Sequence, residues 1–129
     1  MQIVAALFIE NINFRRDFEG GPTKIDITGA YFSTTAPAFP TTLTPHLVVL
    51  LRAESEAART GTLEVRFVHE GETDEASRHR APVTIAPPGK FFYQLVKPDL
   101  TFEAAGTIEA HCTIVETGST VVVPLSVIM

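Results

Sequence analysis

Only one cysteine stands among the 129 residues, Cys112, so no disulfide can close within the chain. Charge is sparse, at 19% of residues, and its positive part is scattered: ten lysines and arginines, from Arg15 to Lys97, face fifteen acids for a net charge of −5. Nucleic-acid binding draws on gathered cations that neutralise phosphates, and no stretch gathers them, so no nucleic-acid partner is expected. Long apolar runs are absent as well. The opening MQIVAALFIENINF falls well short of the roughly 20 apolar residues of a spanning helix. It has neither a basic flank nor a small-residue cleavage pattern. It reads as a first strand, and the expectation is a cytoplasmic protein with no membrane partner.

Motifs that carry chemistry are missing too. There is no G-x-S-x-G, no phosphate-cradling glycine loop and no recognisable Ser-His-Asp order. The eight glycines fall singly at turns and strand starts, apart from the pair Gly20–Gly21. At 45% hydrophobic residues the chain is nonetheless globular, and 129 residues bury roughly two thirds of their unfolded surface as one domain spanning 1–129.

What the sequence has in quantity is alternation. In KIDITGAYFS, Ile25, Ile27 and Tyr31 share one face and Asp26 and Thr28 the other. TLEVRFVHE sets Leu63, Val65 and Phe67 against Glu64 and Arg66. KFFYQLVK places Phe91, Tyr93 and Leu95 together, and GTIEAHCTIV groups Ile108, Ala110, Cys112 and Ile114. Period-2 patterning of this kind belongs to half-buried strands of antiparallel sheets.

LVVLLRAE (47–54) and TVVVPLSVIM (120–129) are apolar on both faces and read as central or covered strands. Pro124 cannot donate to a ladder, so the last strand is expected to be free or bulged on one side there. With 2–9 and 79–86, about eight strands result, separated by turn signals such as EGGP, EGETDE, APPG and ETGS. AESEAART (53–60) is the one helix candidate, either a single turn ending at Gly61 or a loop. The expected fold is an all-β, mostly antiparallel sandwich, Greek-key, Ig-like or jelly-roll-like, with little or no helix.

His111 and Cys112 are adjacent, which invites a nucleophile-and-base reading. On a strand, however, neighbours leave opposite faces. Cys112 then points inward with Ile108 and Ile114, His111 points outward, and the pair cannot activate a thiol. None of His46, His69, His79 and His111 has local metal-ligand spacing, so they read first as polar or half-exposed strand residues; the alternative is that His69 and His79, which flank one loop, face one another across a hairpin. Glu70, Glu72, Asp74 and Glu75 lack the order of a calcium loop and precede Arg78 and Arg80, so they read as a solvated hairpin tip. Arg15, Arg16, Asp17 and Glu19 read as a loop leaving the first strand, in position to cover a sheet edge. Phe91 and Phe92 must face opposite ways. If one face of their strand is open, Phe92 and Val96 form an exposed apolar strip of the kind that marks a partner surface.

The segments KIDITGAYFS, AFPTTLTPHLVVLLRAE, GTLEVRFVHEGE and FEAAGTIEAHCTIVETGSTVVVPLSVIM resemble a family of small, uncharacterised bacterial β-sandwich proteins. The resemblance runs from Lys24 to the C-terminus and departs near Ile108, where an aromatic belongs. It implies the sandwich and implies no activity and no site residues.

The sequence thus nominates no catalytic, cofactor-binding or metal-ligating residue. It points first to a non-catalytic binding or assembly module, most simply a homodimer formed through strand edges or an apolar sheet face. The alternative is a small-ligand binder or enzyme with a pocket between sheets, using His46, His69, His79 and Tyr93. A third reading is a structural subunit of a larger particle.

Overall fold

Alternation along the chain becomes two packed sheets in the computed structural model, which describes residues 1–129. The strands are β1 (Gln2–Arg15), β2 (Lys24–Ala30), β3 (Ser33–Thr35), β4 (Thr41–Leu43), β5 (His46–Arg52), β6 (Thr60–His69), β7 (Ser77–Thr84), β8 (Phe91–Val96), β9 (Leu100–Phe102), β10 (Gly106–Ile114) and β11 (Thr120–Ile128). Eight of the eleven answer to the eight expected stretches. The other three, β3, β4 and β9, are three residues long and draw their strand character from a neighbour, not from their own pattern. Within 53–60 only Glu56–Ala58 coils, as a single 3-10 turn.

One sheet has the order β2-β1-β5-β8 and the other β3-β11-β10-β6-β7; all pairings are antiparallel except β3 with β11. Their inner faces share one core. Ile3, Ala6, Phe8, Leu47, Val49, Leu51 and Val96 come from the first sheet. Leu63, Val65, Phe67, Ile108, Ala110, Cys112, Ile114, Val123, Leu125 and Val127 come from the second. These residues recur at every second position of β5, β6, β10 and β11, the spacing that puts side chains on one face. The small β4–β9 sheet brings Leu100 and Phe102 into this core and is tied at its rim by Thr42–Thr101 (3.0 Å) and Thr44–Asp99 (2.9 Å) hydrogen bonds.

β5 is central, as its two-faced apolarity predicts. Leu47, Val49 and Leu51 face the core, yet Val48, on the opposite face, is also fully buried. The cover is the far end of the β1–β2 hairpin. Ala5 and Tyr93 both lie opposite Leu50, so a straight β1 would carry Phe14 roughly 30 Å beyond the level of Tyr93. Instead the rings of Phe14 and Tyr93 are 4.9 Å apart. β1 therefore bends and lays its distal half back over the outer face of its own sheet. The bend lies beside the place where Gly29 faces Glu10, at φ +66°, with the Glu10 side chain occupying the space a Cβ would need. The charged stretch 15–19 accordingly lies at the end of this arm, where Arg15 bonds Asp17 and Asp26.

Candidate functional site

On β10, Cys112 is fully buried among Ile108, Ala110 and Ile114, while His111 lies on the opposite face with Nε2 3.4 Å from a Glu109 carboxylate oxygen. Burial pushes the Cys112 thiol up to about 12. The thiol therefore stays protonated and out of reach of its neighbour's imidazole.

The remaining candidates point to different places. His46, opposite Ile9, is on the outer face of the first sheet, and Tyr93 is on that same face under the arm. His79 lies opposite Val65 on the inner face of the second sheet, with Nε2 buried and without a hydrogen-bond partner. His69 is four positions beyond Val65 on β6, about 13 Å along the strand. It meets the Phe102 ring edge-on at 5.1 Å instead of facing His79. His69 also borders a hollow of about 460 Å³ with Glu70, Glu72, Thr101, Glu103 and Thr107. Its rim is acidic, and no three metal-ligating side chains converge anywhere in the chain. The EGETDE segment is an exposed turn whose Glu75 is held below the usual carboxylate range by hydrogen bonds, first from Arg78 and then from Arg66.

The exposed Phe92–Val96 strip does not form. Val96 is a core residue opposite Leu47, because even-numbered positions of β8 share the inner face of β5. Phe91 and Phe92 are both half-exposed, on opposite faces of the strand start.

The feature that stands out is the free edge of β8. The Ala53 amide donates to the Lys90 carbonyl at 2.9 Å, so even positions of β8 form the hydrogen-bonded pairs with β5. The amides and carbonyls of Phe91, Tyr93 and Leu95 therefore point outward, and no strand lies beyond β8. The other long edges present different residues. On β7 the outward positions are Arg78, Arg80, Pro82 and Thr84. On β2 they are Lys24, Asp26 and Thr28. On β11 the Ser126 amide donates outward to Phe32, so Pro124, with no N–H, sits on the stretch that β3 leaves uncovered. Charge and proline are the usual means of blunting an edge. β8 has neither between Phe91 and Val96.

Beside that edge the arm and β8 enclose an aromatic groove of about 390 Å³, lined by Phe14, Thr23, Ile25, Phe91, Phe92 and Tyr93. The entry to β8 is held firmly. Arg59, only 8% exposed, grips Glu56 with two hydrogen bonds of 2.7 and 2.8 Å. It also donates to the carbonyls of Ile85 and Gly89, which fixes the turn before the strand. Sequence reasoning found the apolar residues of β8 but not its edge position, which depends on which strand finishes beside β5. Comparison with protein-family models and with curated proteins found no match.

Proposed function

We propose that this chain is a non-catalytic self-association module whose copies join through the free edge of β8. The single observation that carries the reading is the contrast between the long edges of the two main sheets: those of β7, β2 and β11 are blunted by arginine, mixed charge or proline, and that of β8 presents Phe91, Tyr93 and Leu95 with unpaired backbone groups, while the other edge strands, β3, β4 and β9, are only three residues long. An unpaired strand edge is a template for another strand, and the half-exposed rings of Phe14, Phe91 and Phe92 add apolar surface to withdraw from water. A homodimer is the simplest closed product. The likeness to small bacterial β-sandwich proteins, which implies no activity, and a cytoplasmic location suited to one reduced thiol belong to the same proposal.

Sedimentation velocity over a range of protein concentrations tests it. The wild-type chain is expected to pass from monomer to dimer. Leu95→Pro removes an amide that β5 does not use, and Phe91→Lys places a charge on the edge. Both are expected to remain monomeric while keeping the wild-type far-UV circular dichroism spectrum. A wild-type chain that stays monomeric throughout, or folded variants that associate as it does, would overturn the reading.

A further inference from the structure

The geometry points to one register for that association: two copies of β8 paired antiparallel about a two-fold axis through Tyr93. This rests on the self-association reading and adds the partner's alignment. Only odd positions carry free backbone groups, so an antiparallel pairing must set odd against odd. Centring on Tyr93 pairs Tyr93 with its own copy and Phe91 with the second copy's Leu95. Every free amide and carbonyl of the strand then finds a partner. Centring on Phe92 would put Leu95 against Gly89, whose amide already donates to Ala86 at 3.1 Å and whose carbonyl accepts from Arg59. Centring on Gln94 would put Phe91 against Lys97, directly before Pro98. Pro87 and Pro88 on one side and Pro98 on the other confine pairing to this window.

Charge and area agree with the alignment. Lys90 falls opposite Val96 of the second copy and Lys97 opposite its Gly89, so no lysine directly faces another. Phe14, Phe91 and Phe92 are 49%, 51% and 44% exposed. Each ring thus brings roughly 100 Å² still in water, about 300 Å² of apolar surface per copy before the strand edge itself is counted. That lies below the standard half-interface of about 800 Å² and describes a weak, reversible dimer. The two four-stranded sheets would run on as one, and the two aromatic grooves would meet at the axis.

Directed disulfides read the register. Hydrogen-bonded partners on antiparallel strands have Cα atoms about 5.5 Å apart, within disulfide range. Tyr93→Cys is expected to give a covalent dimer in a glutathione redox buffer, with buried Cys112 taking no part. Tyr93→Cys also loses the ring that meets Phe14. The second measurement therefore mixes Phe91→Cys with Leu95→Cys, and the mixed disulfide is expected in excess over either homodimer. If wild-type dimers sediment but neither experiment traps them, the register is wrong and the self-association reading survives. If the wild-type chain never dimerises, both fall.

Discussion

Truncating Phe14 to alanine tests the bend of β1 most directly, because that ring has no reason to be half-buried unless the hairpin lies back over its own sheet. Phe14 is 49% exposed. About half of a phenylalanine's surface, on the order of 100 Å², is therefore withdrawn from water, worth roughly 2.5 kcal/mol at 25 cal/mol per Å². Compactness of the denatured chain trims this to about 1.5–2 kcal/mol. The ring pair with Tyr93, at 4.9 Å, contributes about 0.5–1.5 kcal/mol more. Alanine keeps part of the burial, so Phe14→Ala is expected to lose about 2 kcal/mol, or roughly 6–10 °C in Tm for a domain of this size. Urea unfolding followed by circular dichroism measures it. Phe32→Ala is the control: Phe32 is 64% exposed, so the same area and compactness terms leave about 1 kcal/mol, roughly half the loss expected of Phe14→Ala. If the two variants cost the same, the arm does not clasp β8 and the account of why Val48 is buried fails.

Gly29 holds φ +66° opposite Glu10, so Gly29→Ala is expected to cost about 1–2 kcal/mol from backbone strain alone, read as a lower urea midpoint with an unchanged slope. Cys112 should resist a thiol reagent in the native protein and react at once in denaturant; rapid native labelling would mean that β10 does not face the core as described. Glu56, Glu75 and Glu116 all have lowered pKa values, the last chiefly because the Thr62 amide donates to it at 2.7 Å. Depressed carboxylates stabilise the fold above their unfolded pKa, and that stability is lost as pH falls through the folded value. Tm should therefore be flat above the ordinary carboxylate range and drop below it, with a shallower drop in Glu116→Gln. A Tm that rises on acidification would contradict the ion pairs.

Legibility followed distance along the chain. The inward set Ile108, Ala110, Cys112 and Ile114 could be read because parity is a local property of an extended backbone. The same rule gave Leu63, Val65 and Phe67, and it separated His111 from Cys112. β8 was legible as a strand but not as an edge: Phe92 and Val96 share a face by parity, yet only the neighbour at β5 makes Val96 core and leaves Phe92 half in water. The bend of β1 was hidden for a similar reason. Its signal is a glycine on β2 facing a glutamate on β1, a relation that exists only once the two strands pair.

Taken alone, then, the order of residues determined an all-β chain, the faces of its main strands, the protonated inward thiol and the two-sided burial of β5. Each follows from side chains alternating on an extended backbone, where one apolar face must leave water. Which strand ended at the rim, which backbone groups stayed unpaired and how the first hairpin folded back were decided only in three dimensions. Those outcomes depend on hydrogen bonds and packing between segments far apart in the chain, and no short stretch of sequence contains both partners.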